Sequence, residues 1–204
     1  MRNQWYGDRW DVVKWGTVLH LAREHRLRLI LQIAYFRPDQ EILHLKSGCR
    51  KIDIGGDVFR HFRHFRDIHH IQALARRARI KIEVFDRPFM ASSRKDYTSK
   101  ILRRIRDLAD PPAVVLLDPD TGLSRKRYSN EHVTPDEVAA IWAELRPQDW
   151  LVLYQHNARK KDWFKRQRNA FTNACNGANV TPFVPSNGAR NVALFAACRM
   201  VNPA

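Results

Sequence analysis

The stretch Val114-Val115-Leu116-Leu117-Asp118-Pro119-Asp120-Thr121-Gly122-Leu123 decides how the chain is read. Its four leading aliphatic residues are too few for a buried helix and suit a strand covered on both faces. Two carboxylates, Asp118 and Asp120, stand where that run stops, with Pro119 locked between them and Gly122 just after. In open α/β sheets the reactive groups gather beyond the carboxyl ends of the strands. An acid-Pro-acid turn at such a place is a candidate active centre. The plainer alternative is an ordinary Asp/Pro/Gly turn.

Working outward, further strands are expected at 27–35, more weakly at 41–46, at 80–85, and at 149–154, the last running into Gln155-His156-Asn157. Asp86 stands at the end of the 80–85 strand. Two final strands, 179–184 and 191–199, are joined through Pro185-Ser186-Asn187-Gly188, a spacing that permits a hairpin. Between them lie helical patterns. Asp8 can cap a helix carrying Val12, Trp15, Leu19 and Ala22 on one side, with Asp11 and Lys14 three apart near one face. Taken alone, that pair is a surface helical ion pair. Residues 57–79 repeat Phe59, Phe62, Phe65, Ile68, Ile71, Leu74 and Ala78 every three or four positions. Helices are also expected over 94–109, 162–175 and 134–145, the last opened by Thr134-Pro135-Asp136-Glu137 with a cap, an early proline and two early acids. Alternating strands and helices give an α/β fold in one domain over 1–204, mostly parallel with a C-terminal antiparallel hairpin.

Length and charge bound the function. The 204 residues are 44% hydrophobic and carry a formal net charge of +15, with 36 Lys and Arg against 21 Asp and Glu. Such an excess attracts polyanions, nucleic acid first and an anionic membrane surface second. Arg60, Arg63 and Arg66 crowd the polar faces of the 57–79 pattern, and Arg125, Lys126 and Arg127 form a basic loop after the acidic turn. Both are candidate phosphate-contacting groups. His61 and His64 could share a metal, but a solvated basic face is the reading preferred there. Cys49, Cys175 and Cys198 have no metal-ligand spacing and form no disulfide framework. No apolar run approaches a membrane span, and the first residues lack the apolar core of a signal peptide. A reducing compartment, by default the cytoplasm, and no membrane partner are expected. Oligomeric state is left open.

These elements resemble the Rossmann-like, S-adenosylmethionine-dependent methyltransferases, a three-layer sandwich whose strand–helix alternation closes on a two-stranded hairpin. Asp118-Pro119-Asp120 stands where amino-methyltransferases carry an acid-Pro-Pro-aromatic loop. Tyr6-Gly7-Asp8 through Asp11-Val12-Val13-Lys14-Trp15 resembles the amino-terminal helix of the 23S rRNA adenine-N6 methyltransferase family. The blocks Gly7-Asp8…Asp11…Lys14, Leu117–Gly122 and Tyr154-Gln155-His156 also resemble a set of uncharacterised bacterial and phage-associated proteins. The resemblance implies S-adenosylmethionine as cofactor, lined by Gly7, Asp11, Lys14, Tyr35 and Asp86, with Lys14 near the methionyl carboxylate and Asp86 at the ribose or adenine. It implies Asp118 as acceptor for an amino N–H on a nucleic-acid base, with adenine N6 as the candidate position and with Asp120 and His156 beside it. Trp5, Tyr6, Tyr35 and Phe36 are candidate surfaces for stacking that base. Two departures stand out. The first strand feeds Phe36-Arg37-Pro38-Asp39 rather than a glycine-rich turn, and Asp120 and Thr121 replace the second proline and the aromatic.

Two other readings follow from the same residues. Asp118 and Asp120 could share a Mg²⁺ in a phosphoesterase or nuclease, with His156 as acid or base. The haloacid-dehalogenase phosphatases use a similar Asp-x-Asp-x-Thr, although here Thr121 comes one place early. Alternatively, the chain is a non-catalytic nucleic-acid-binding module on a degenerate methyltransferase fold.

Overall fold

In a computed structural model, residues 9–36, 44–47, 50–53, 71–108, 112–124, 129–157, 162–184 and 191–200 are described. The element order is α1 (Arg9–Glu24), β1 (Leu29–Ile33), β2 (His44–Ser47), β3 (Arg50–Asp53), α2 (Ile71–Ala78), β4 (Lys81–Phe85), α3 (Arg94–Arg106), β5 (Ala113–Leu117), β6 (Gly122–Leu123), β7 (His132–Val133), α4 (Pro135–Glu144), β8 (Trp150–His156), α5 (Trp163–Ala174), β9 (Val180–Phe183) and β10 (Val192–Cys198).

Six strands form the main sheet in the order β4-β1-β5-β8-β10-β9. β4, β1, β5 and β8 run parallel, and β10 pairs antiparallel with both β8 and β9. This is the expected Rossmann-like α/β architecture with its antiparallel C-terminal pair. Pro182 sits in β9, the edge strand, where a missing N–H costs no ladder bond on the open side.

The side-chain period of two sorts the core into two layers. Ala113, Val115 and Leu117 of β5 pack with Tyr97, Ile101 and Ile105 of α3, Val138 and Ile141 of α4, and Phe171 of α5. Val114 and Leu116 face the other way and pack with Trp15, Val18 and Leu19 of α1 and Ile71 of α2. Every residue of β1 and β5 is buried, as a strand covered on both faces requires. The chain leaves β1 toward β4 on one side and returns to β5 on the other. The crevice between the carboxyl ends of β1 and β5 is therefore the switch point where ligands bind in such sheets.

Local chemistry explains several boundaries. Thr134 caps α4 in a reciprocal capping box with Glu137. Of the helix expected over 57–79, the described part is 71–78; residues 57–70 lie outside the described residues, as do Asp8 and its cap. At the opposite edge of the sheet, buried Asp149 accepts from the backbone N–H of Ala113 (2.7 Å) and of Arg146 (2.9 Å) and from Arg146 Nε (3.1 Å). It thereby ties the start of β5 to the start of β8. Asp149→Ala would leave two backbone donors without that acceptor. It should lower unfolding free energy by about 2–6 kcal/mol in urea titrations, at one to three for each unsatisfied buried group. Asp149→Asn, which keeps acceptor oxygen, should cost less.

Candidate functional site

The same period of two that builds the core builds the site. Asp118 follows Leu117 at the end of β5, and its even number puts it on the α1 face with Val114 and Leu116. Gln32 of β1 and Tyr154 and His156 of β8 share that parity. On α1, Asp11 and Lys14 are one turn apart and look down onto the same place. The Lys14 ammonium lies 2.6 Å from Asp11 Oδ1 and 2.7 Å from Asp118 Oδ2. Gln32 Nε2 donates to the same Asp118 oxygen at 2.7 Å. Among the described residues, Asp118 Oδ1 carries no hydrogen bond. All four side chains are buried, Lys14 at 3% and Asp118 at 2% exposure. The surface ion pair expected from the Asp11–Lys14 spacing is thus the upper half of a buried triad.

The Lys14 ammonium also sits 5.3 Å from the centre of the Tyr154 ring. The Tyr154 hydroxyl is 3.0 Å from His156 Nε2, and Trp10 meets the His156 ring edge-on at 6.3 Å. Burial alone would push the Lys14 pKa down. The charges of Asp118 and Asp11 outweigh it, and the pKa lies above the ordinary lysine value.

The acidic turn itself is held by its backbone. His156 N–H donates to the Thr121 carbonyl (3.2 Å), and Gln155 Nε2 donates to the same oxygen (3.0 Å). Gln155 Oε1 accepts from Leu123 N–H at 2.8 Å. Gly122 has φ +101°, and a Cβ there would come within 2.4 Å of the Gln155 amide. Only glycine suits both the conformation and the space. Further along, Thr121 Oγ1 donates to the Glu131 carbonyl (2.8 Å), and β6 pairs with β7. Arg94 of α3 locks the far side of this loop, reaching Glu137 (2.6 Å), the Ser129 carbonyl (2.7 Å) and the His132 carbonyl (3.2 Å).

The structure brings Asp11, Lys14, Asp118 and, through Tyr154, His156 into one cluster. Asp120 lies two residues on from Asp118, half-buried and with interactions of its own. Asp86 lies at the end of β4, one strand beyond β1, half-buried and close enough to Tyr97 for their charges to interact. Tyr35 is not in an open crevice. Its ring is 1% exposed and packs against Phe89 (5.1 Å) and Tyr97 (5.5 Å), with burial and then Glu137 raising its pKa well above the ordinary value. Its backbone is left-handed, φ +45°, at the turn where a glycine was missed. Gly7, Arg60, Arg63, Arg66, Arg125, Lys126 and Arg127 lie outside the described residues. Gln32 is not singled out by the sequence, and Tyr154 stands there only within the block Tyr154-Gln155-His156. A lone amide inside Leu29–Ile33, at even parity with Asp118, was the available signal. Burial pushes the Cys175 thiol up to about 12, which leaves it no thiolate at neutral pH.

For the Mg²⁺ reading, Lys14 and Gln32 both occupy Oδ2 of Asp118, and the Lys14 ammonium already offsets that carboxylate's charge. No group of three His, Cys, Asp or Glu side chains that could hold a metal occurs among the described residues. No helix among them is long and apolar enough to cross a membrane.

The chain matches no protein-family model and no curated protein. It is similar to a crystal structure from Thermobifida fusca YX that carries a provisional methyltransferase description, at 11% identity and a TM-score of 0.49, over 94% of this chain and 80% of that one. That likeness is too distant to bear on chemistry.

Removing Lys14 alone strands two buried carboxylates. Lys14→Met should cost about 3–5 kcal/mol of unfolding free energy. The triple variant Asp11→Asn, Lys14→Met, Asp118→Asn should recover most of it. Because the folded pKa of Lys14 lies above its ordinary 10.5, its contribution is complete below that pH and fades as pH rises through the folded value. The stability gap between wild type and Lys14→Met should therefore be flat from neutral pH to 10.5 and narrow only above it.

Proposed function

We propose that the protein is a methyltransferase that uses S-adenosylmethionine and acts on an amino group of a nucleic-acid base. One observation supports this most directly. Lys14 and Gln32 both occupy Oδ2 of Asp118, and Oδ1 of the same carboxylate carries no hydrogen bond among the described residues. A carboxylate fixed in this way, behind a proline and at the end of the central strand, suits one task. It accepts one N–H of an incoming amine and leaves the nitrogen lone pair aimed away from itself. S-adenosylmethionine, when bound, supplies an activated methyl group.

The residues fit that cofactor in part. Asp86 ends the strand next to β1, from where a carboxylate can meet a ribose. Left-handed Tyr35 bends the chain after β1 where a glycine would otherwise be needed. Lys14 has a different part from the one the resemblance implies. Its ammonium is taken by Asp11 and Asp118, so it orients Asp118 rather than meeting the methionyl carboxylate. Tyr154, His156 and Trp10 form an aromatic wall beside Asp118 against which a base can lie. With Asp118 at 2% exposure, the acceptor amine reaches it only when buried, which means an extruded or single-stranded base. The net charge of +15 supports a polyanionic substrate.

The depth of the Lys14–Asp118 pair favours a second reading, a structural clasp in a nucleic-acid-binding module without catalysis. Two measurements separate them. Calorimetry with S-adenosylhomocysteine should give heat for the wild type and for Asp118→Asn. Transfer of labelled methyl groups to single-stranded DNA or RNA should fall about a hundredfold or more in Asp118→Asn, the usual size of a lost acid-base group. No heat and no transfer in a folded wild type would leave only the clasp.

A further inference from the structure

We infer that the edge of the sheet opposite the candidate site, at the amino ends of β1 and β4, is a docking surface for the phosphate backbone of duplex nucleic acid. It shares the nucleic-acid partner of the proposed function but not its chemistry. The two helices of one layer, α1 and α2, end on this edge in the same way. Leu27 N–H bonds back to the Ala22 carbonyl (2.7 Å), and Ile80 N–H bonds back to the Ala75 carbonyl (3.2 Å). Each closes a helix C-terminus whose penultimate residue must be left-handed. Those residues are Arg26 and Arg79, both at φ +55°.

Glycine or asparagine is the ordinary choice there, because a side chain makes the conformation costly. The same chain makes the ordinary choice at the end of α5, with Asn176 at φ +54° and Gly177 at φ +76°. Arginine at both adjacent turns therefore stands against the backbone's preference. Compensating the helix dipoles does not account for it, since Arg23 and Arg76 already serve the last turns.

Strand pairing brings the two turns side by side. β1 and β4 are in register at Leu29 and Lys81, and Lys81 N–H bonds to the Arg28 carbonyl at 2.9 Å. Arg23, Arg26, Arg28, Arg76 and Arg79 are all exposed, and none has an ion pair among the described residues. Some basic residues elsewhere are paired: Arg94 with Glu137, Lys100 with Asp96, Arg104 with Glu83 and Arg106 with Glu144.

The chemistry of this edge selects the partner. Leu27 and Ile80, the apolar residues of the two turns, are buried, so the exposed side chains of this edge are polar, five of them the guanidinium groups of Arg23, Arg26, Arg28, Arg76 and Arg79. That suits forked contacts with phosphate oxygens and offers nothing to insert into lipid. The edge lies a strand length, about 17 Å at 3.3–3.4 Å per residue, from Asp118. It would grip a segment of nucleic acid remote from the base being presented.

The experiment is fluorescence anisotropy of a short labelled DNA duplex over a range of salt concentrations, with no methyl donor present. Wild type should bind with a steep salt dependence. Arg26→Gln, Arg28→Gln, Arg79→Gln should weaken binding tenfold or more and lower the log–log salt slope by about 2–3, near 0.9 per phosphate contact. Arg26→Gly with Arg79→Gly guards against misfolding, since relief of the left-handed strain should keep or raise its melting temperature while binding still falls. Unchanged affinity and slope in both variants would overturn the inference, as would a wild type that binds anionic vesicles but no duplex, or neither. Since the donor is absent, failure here leaves methyl transfer standing, and failure of methyl transfer leaves this surface standing.

Discussion

The ammonium of Lys14, held between Asp11 and Asp118 with almost no water, is the constraint on which the rest of the molecule leans. Apolar packing fastens α1 to the sheet through Trp15, Val18 and Leu19, but such packing is not directional. A charge that would lose several kcal/mol if left alone in the interior is directional. It allows α1 only the axial position that sets Lys14 over the end of β5, 104 residues away in sequence. The pair adds little net stability over a hydrophobic replacement. Its effect is to fix register and to orient one carboxylate.

The acidic turn depends on a second set of restraints that leaves the carboxylates out. Gln155 grips Thr121 and Leu123 from the strand next door, Gly122 lets it approach, and Arg94 with Glu137 ties the far limb of the loop to α3 and α4. Asp118 is thus placed by backbone and neighbours rather than by contacts that would use up both of its oxygens. Parity then adds Gln32, Tyr154 and His156 to the same face without further design.

Much of the fold was legible. Short aliphatic runs bounded by turn residues located β1, β5 and β8, and Thr134-Pro135-Asp136-Glu137 located the start of α4, because each is a local signal. The hairpin at the end was legible from the spacing of its strands. What was not legible is what depends on depth. The spacing of Asp11 and Lys14 suits an exposed pair as well as a buried one, and only the arrival of Asp118 from another part of the chain decides between them. Gln32 passed as a polar interruption in a strand because its partner is equally distant. By type Tyr35 suits a stacking surface or the core equally, and its packing in the aromatic cluster with Phe89 and Tyr97 decides for the core. The missing glycine after β1 marked the right place for the wrong reason: a turn is there, made by a tyrosine.

The order of strands in the sheet has an outcome for synthesis. β10 is made after β9 but lies between β9 and β8. Until it arrives, β9 has no neighbour and β8 offers a bare row of amide and carbonyl groups, the kind of margin that recruits foreign strands. A nascent chain therefore carries an adhesive flank through the translation of residues 157–191, and insertion of one late segment closes both ladders at once.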